Sequence, residues 1–319
     1  MELRVLQYFL AIAREQNIVR AAQSLHLTQP TLSTQIKNME EELGKQLLIR
    51  GSKGSRKVTL TEEGMILRKR AEEILELVKK TENEISCSAD TVAGDVSIGA
   101  GETEGIRLIA KAAGKLKKQY PGIHYHISSG NAIFVREQLD KGLIDFGIVF
   151  GKPDLTRYEA YKLPCTDVWG VLMPKTSLLA QEAAISPQDL LGQPLLLSQQ
   201  EPDNGPFSRW MQCSLSELDI VMTYNLLFNA SLLVEEGFGL AVCLDGIINT
   251  SGDSKLCFRP LEPGIEAELY IIWKKYQLFS KPAEKFLTAI RENLHTSPTH
   301  KPTGANHPSH PDTHCPGPT

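Results

Sequence analysis

Gln29, Ser33 and Lys37 stand four residues apart, with Pro30, Thr31 and Thr34 beside them. On a helix that spacing puts them on one side. An amide, small hydroxyls and an ammonium gathered there are the groups that reach DNA base edges and phosphates. An ordinary solvated helix face has the same pattern, so spacing alone does not separate the two. A second set, Arg50, Lys53, Arg56 and Lys57, lies in a Gly/Ser-rich run without an acid. Cations in a loop beside a base-reading helix meet phosphates.

A third set suits a small ligand. Thr103, Ser128, Ser129, Asn131, Ser198 and Asn229 are hydroxyl or amide residues at the expected ends of strands or starts of helices. In open α/β sheets ligands bind outside the carboxyl ends of strands, where helix N-termini present free N–H groups. Plain helix capping uses the same residues and is compatible with binding. Glu102 and Glu104 bracket Thr103, which disfavours an anionic ligand there.

Catalytic chemistry has no comparable cluster. There is no local Ser/His/Asp or Cys/His grouping, no phosphate-cradling P-loop and no HExxH. The six cysteines show neither CxxC nor zinc-like Cys/His spacing, so no metal site or cofactor is implied. No basic neighbour in sequence lowers the pKa of Cys165 or Cys213, and both read as reduced structural thiols.

The elements that must position these groups are legible locally. Residues 3–15 form an amphipathic helix with Leu3, Leu6, Phe9, Leu10 and Ala13 inward. Glu2, Arg4, Gln7, Arg14 and Glu15 interrupt the apolar run, so it is not a signal peptide and the expected location is cytoplasmic. Ala21, Ala22 and Leu25 mark a second helix and Leu32, Ile36, Met39 and Leu43 a third, with a break at residues 26–28. Thr28 caps the third helix, Pro30 sits in its first turn and Gly44 stops it. Two short helices with a tight turn make a helix-turn-helix, with residues 50–57 as a wing before a strand at 58–60.

Thr61 then opens a long helix in which Leu67, Ala71, Ile74, Val78 and Ile85 follow alternating four- and three-residue steps, with Thr81 filling the position between the last two. That is a coiled-coil stripe. About 26 residues at 1.5 Å each span near 40 Å, more than one small domain covers, so the stripe is expected to pair two chains.

From Gly94 short apolar strands alternate with helices. Strands are expected at 96–100, 124–128, 145–150, 168–173, 195–198, 220–224, 240–244 and 268–273, mostly in βαβ units and therefore in a parallel sheet. Helices are expected at 104–119, 132–141, 186–191, 207–217, 230–236 and 282–294, with 151–167 and 261–267 crossing between two lobes. Residues 1–61 carry a charge of +4 and the remainder −8, which confines nucleic-acid contact to the front. The Pro/Thr/His-rich tail buries too little apolar surface to fold; its histidines lack regular ligand spacing.

Ala21-Ala22, Leu25, Gln29-Pro30, Leu32-Ser33, Gln35-Ile36, Glu40, Leu43-Gly44, Leu47, Arg50, Leu60-Thr61 and Gly64 resemble the winged helix-turn-helix of the LysR-type transcriptional regulators. The resemblance covers nearly all of the first sixty-five residues. Leu48 stands where the family usually has Phe and Met39 where it usually has Leu, both core-conserving. Thr34 replaces a frequent basic residue. Later, YPGIHYHISSG, LDKGLIDFGIV and EEGFGLAV match the family's landmarks in order.

The resemblance implies a multidomain chain. An all-α winged helix-turn-helix (1–60) and a long linker helix (61–90) precede a two-lobed α/β, periplasmic-binding-protein-like domain (91–295) and a disordered tail (296–319). It implies a sequence-specific, DNA-binding regulator modulated by a small-molecule effector between the lobes. Implied partners are double-stranded DNA, the effector, RNA polymerase and further copies in a homodimer or homotetramer, with no membrane. A hydroxyl at the Thr103 position often touches the effector in such proteins, and one subgroup senses peroxide through a cysteine pair. A soluble carrier or an enzyme on the same bilobal fold are the competing readings. The helix-turn-helix argues against the first and the missing catalytic grouping against the second.

Overall fold

The computed structural model describes residues 1–51, 57–86 and 92–296. Three helices open it: α1 (Leu3–Glu15), α2 (Ile18–Ser24) and α3 (Gln29–Leu43). The Asn17 amide oxygen caps α2 by accepting the N–H groups of Val19 and Arg20 at 2.9 and 3.2 Å. Thr28 caps α3, Pro30 lies in its first turn, and Gly44 stops it at φ +64°. α1 buries Val5, Leu6, Phe9, Ala11 and Ile12, whereas Leu3 is exposed. The inward face is therefore turned from the expected one, because α1 packs against α2, α3 and the linker helix at once.

After α3 the Glu40 carboxylate accepts the backbone N–H groups of Leu47 and Leu48 at 2.7 and 3.1 Å, which sets the turn into β1 (Leu48–Arg50). β1 pairs antiparallel with β2 (Val58–Leu60) as the stem of the wing. The Thr61 hydroxyl accepts the Gly64 N–H at 2.9 Å and starts α4 (Glu62–Ser86). Only glycine fits at 64, since a Cβ there would overlap the Leu47 carbonyl oxygen.

The rest is α/β. The first lobe runs β3 (Gly94–Ala100), α5 (Ile106–Gln119), β4 (Ile123–Ser129), α6 (Ala132–Asp140) and β5 (Phe146–Phe150). The long β6 (Tyr158–Pro174) leads to the second lobe: α7 (Pro187–Leu190), β7 (Leu195–Ser198), α8 (Pro206–Met211), β8 (Ile220–Tyr224), α9 (Leu227–Glu235), β9 (Leu240–Leu244) and β10 (Leu256–Pro260). β11 (Glu266–Lys274) returns to the first lobe, and α10 (Lys281–Thr296) packs on it.

The strand order is β4-β3-β5-β11-β6-β9-β7-β8, with β10 beside β6. β3 is parallel to β4 and β5, and β7 is parallel to β8 and β9. β6 and β11 run antiparallel to their neighbours, so the sheet is mixed rather than all parallel. The crossing expected at 151–167 is largely strand. The near half of β6 pairs with β11 and its far half, residues 169–174, with β9 and β10. Pro164 lies within this strand. The β6–β11 register shifts across from it, between Glu268 and Tyr270, and proline is tolerated at such an irregularity.

Separate apolar cores serve the two lobes. One gathers Phe146, Leu163, Ile271 and Phe286; the other gathers Val171, Leu195, Phe207 and Val242.

Candidate nucleic-acid interface and interlobe cleft

On α3 the apolar face is spent on Leu32, Ile36 and Met39, all buried. The opposite face carries Gln29, Pro30, Thr31, Thr34 and Lys37, exposed, with Ser33 half-buried. Gln29 donates its side-chain N–H to the Ser33 hydroxyl at 2.8 Å, and the Thr34 hydroxyl donates to the Pro30 carbonyl at 2.9 Å. These bonds hold the short polar groups in fixed positions along the first two turns. Lys37 sits 3.3 Å from Glu41, an exposed ion pair of small worth that leaves the ammonium available to a phosphate. Arg50 and Lys57 are exposed at the base of the wing, where Gly51 N–H donates to the Lys57 carbonyl at 3.0 Å. Lys53 and Arg56 lie outside the described residues.

Between the lobes lies a cavity of about 530 Å³. Its wall is mainly apolar, with Phe150 and Trp169 among the aromatic residues, and Asn131, Ser198, Gln200 and Arg136 supply polar groups. The strand ends at Ala100, Phe150, Ser198, Tyr224 and Leu244 all lead to it, so it occupies the carboxyl-end position expected of an α/β ligand site. Three of its acids, Glu201, Glu268 and Glu102, have partners. Glu201 accepts the Phe207 N–H at 2.8 Å at the start of α8, and burial raises its pKa. Glu268 pairs with Lys162 at 2.6 Å and accepts from the Tyr270 hydroxyl at 2.8 Å. Glu102 accepts the backbone N–H of Leu227 from the opposite lobe.

Two further contacts tie these parts together. The Thr103 hydroxyl donates to Asp167 at 2.6 Å, and Asp167 sits on β6 where it passes from one lobe to the other. Burial pushes Asp167 up to about 6, with Glu104 and Asp245 adding to the rise and the Thr103 hydrogen bond opposing it. On the far side, Lys80 of α4 donates to Asp145 at 2.7 Å and to the Gly142 carbonyl at 3.1 Å, while Lys141 donates to Glu73 at 2.8 Å. The helix that begins in the winged domain is thereby clamped to the first lobe.

Residues 89–295 match the LysR substrate binding domain, and residues 3–65 match the bacterial regulatory helix-turn-helix protein of the lysR family. The chain belongs to the LysR family. It combines that family's helix-turn-helix with its substrate binding domain, as the resemblance implies. The Hca operon transcriptional activator HcaR of Escherichia coli is 29% identical, over 92% of this chain and 98% of that protein. The HTH-type regulator BsdA of Bacillus subtilis is 33% identical over 52% of this chain and 57% of that protein. The dual regulator OxyR of Escherichia coli is 36% identical over 46% and 47%. The chain thus spans about half the length of BsdA and OxyR in these matches. The crystal structure of CbnR, a LysR family transcriptional regulator, shares the fold at a TM-score of 0.71 and 18% identity, over 92% of this chain and 99% of that one.

Within this LysR chain the sequence-predicted ligand residues separate. Asn131 and Ser198 line the interlobe cavity. Thr103 is buried and turned to Asp167, and it is not part of that wall. It also caps the entry to α5 as expected, its hydroxyl accepting the Gly105 N–H at 2.9 Å. Ser128 lines a different hollow, between β4 and α4, and Ser129 is exposed at the end of β4. Asn229, expected as a helix cap, is the third residue of α9 and exposed. The helix starts earlier because Glu102 supplies the acceptor at Leu227. Arg136 was missed as a cleft residue, whereas Glu102 and Gln200 lie in the two strand-end stretches, 101–103 and 198–200, that the sequence marks as ligand-facing.

The linker stripe also divides. Ala71 is fully buried and Leu67 and Ile74 are half-buried against the winged-domain core, so this part of the stripe packs within the chain. Ile85 is 79% exposed and Val78 half-buried farther along. Among the described cysteines, burial pushes Cys165 up to about 11 and raises Cys213 as well. Both shifts oppose the thiolate that a peroxide-sensing cysteine needs. No described helix is long and apolar enough to cross a membrane.

Proposed function

We propose that this LysR regulator reads duplex DNA with the exposed face of α3 and answers to a small molecule held between its lobes. Gln29, Pro30, Thr31, Ser33, Thr34 and Lys37 take the base-edge and near-phosphate contacts. Arg50, Lys53, Arg56 and Lys57 take phosphates on either side of the wing. Asn131 and Ser198, with Arg136 and Gln200, orient the effector, and the apolar wall supplies most of the contact area. The protein works as a homo-oligomer in the cytoplasm and as a regulator rather than an enzyme. Apolar residues left exposed on α4, among them Met65, Ile66, Leu77 and Ile85, are available to a second chain.

One observation carries this reading: the clamp at Lys80–Asp145 joins the cleft-bearing lobe to the helix that starts beside the DNA-reading face. Ligand binding in the cleft can alter DNA engagement only through a continuous connection of this kind, by differential affinity for two arrangements. The test is a binding titration of the full chain on the DNA upstream of its own and adjacent genes, with and without metabolites of the neighbouring pathways. Preference for one upstream region over random duplex, shifted by one metabolite, is the expected result. Equal binding to all duplexes would overturn it.

A further inference from the structure

The two lobes cap each other's helices. α9 begins at Leu227 and its own N-cap position is Leu226, which offers no side-chain acceptor. The acceptor for the first free N–H comes instead from Glu102 in the other lobe, 125 residues away in sequence. In the reverse direction, Gln200 of the second lobe accepts the Ala132 N–H, the first of α6, at 2.8 Å.

These contacts are equivalent by topology. Glu102 stands two residues after β3 and Gln200 two residues after β7, the central strand of each parallel trio. Ala132 opens the helix after β4 and Leu227 the helix after β8. Each lobe therefore reaches across the cleft from the same position and fills the same position on its neighbour. Such N–H groups must find an acceptor, and leaving the partly buried one at Leu227 unpaired is costly. Glu104, on the same loop as Glu102, also lies against Gly246 of the second lobe, and a Cβ at Gly246 would collide with it.

We propose that Glu102 and Gln200 form an intramolecular latch that holds the lobes together, so that an effector acts by replacing these caps. The consequence for regulation rests on reading the cleft as the effector site; the latch does not. A ligand entering the cavity meets helix N-termini already bonded to the chain's own side chains. It gains only the difference between its own contacts and the caps it displaces. The two caps also open together, because each spans the same pair of rigid lobes.

Hydrogen–deuterium exchange on the full-length protein tests this without DNA or effector, so its failure leaves the regulatory reading standing. Glu102→Ala should speed exchange not only at residues 226–229 but also at 132–134, on the other lobe. Gln200→Ala should do the reverse. The remote change should be about tenfold or more for Glu102→Ala, which loses a hydrogen bond to a charged group, and about two- to tenfold for Gln200→Ala, which loses a neutral one. Glu102→Gln keeps an acceptor and should retain most of the remote protection. Effects confined to the helix that lost its own cap would overturn the latch. Should Glu102→Ala melt early as a whole, Gln200→Ala read at Leu227 decides alone.

Discussion

Thr103 donates its hydroxyl to Asp167 at 2.6 Å, inside the joint where β6 passes between the lobes. This bond gives Thr103 a structural duty that its position after a strand does not reveal. Because burial holds Asp167 up at about 6, the folded chain keeps a proton that the unfolded chain, near the ordinary value of about 4, gives up. Ionised Asp167 is therefore a cost of folding that is full above pH ~6 and fades as the pH falls toward ~4. Asp167→Asn, still able to accept from Thr103, should be more stable than wild type by roughly 1–3 kcal/mol at pH 7.5, with the gap closing near pH 4. Urea unfolding of both proteins across that range checks it, and a gap independent of pH would sink it. Thr103→Val removes the donor and should destabilise the chain most where Asp167 is ionised.

On the DNA side, Ser33→Ala should relax sequence choice, because it removes a hydroxyl held by Gln29 at 2.8 Å on the exposed face of α3. Lys57→Ala should weaken binding to every duplex and reduce the slope of log K against log salt by about 1. Anisotropy titrations on an upstream region and on random duplex, at three salt concentrations, separate the two effects. A loss of sequence preference in Lys57→Ala with the salt slope unchanged would contradict the assignment.

Much of the winged domain was legible because its signals are local. Thr28, Pro30 and Gly44 each act within one turn, and Leu32, Ile36 and Met39 share one face whatever surrounds them. The linker stripe shows where local pattern stops. A 3.5-residue repeat looks the same whether its partner is a second chain or the chain's own α1, and for Leu67, Ala71 and Ile74 it is the latter. In the cleft, Glu102 and Gln200 meet partners 125 and 68 residues away. No spacing rule reaches that far, since the contact exists only once both lobes are placed. Asn229 failed for the same reason, the acceptor for α9 coming from outside its neighbourhood.

The divided stripe makes two substitutions separable. Ile74→Asp puts a charge against the winged-domain core and should lower the melting temperature of the protein. Ile85→Asp alters a side chain that is 79% exposed and should leave that transition in place while weakening self-association. Light scattering at micromolar concentration beside a thermal melt distinguishes them. Association unaffected by Ile85→Asp would place the contact between chains elsewhere on α4 or on the lobes.

Lys80 is one of the points that join α4 to the cleft-bearing lobe, with Lys141–Glu73 another, and replacing it should weaken the connection while sparing both ends. Its ammonium meets Asp145, whose side chain is 5% exposed, and also the Gly142 carbonyl. Asp145 keeps the Ser97 N–H at 2.8 Å when Lys80 is lost, so Lys80→Met should cost only about 1–3 kcal/mol of stability, and the fold should survive. The winged domain and the cavity contain neither residue, so DNA affinity and ligand affinity measured separately should stay near wild type. What should fall is the coupling between them, typically about 1–3 kcal/mol in a working switch. Footprint length with and without the metabolite that alters the wild-type footprint reads this directly. A Lys80→Met protein whose footprint still responds fully would show that the signal leaves the lobe by another route.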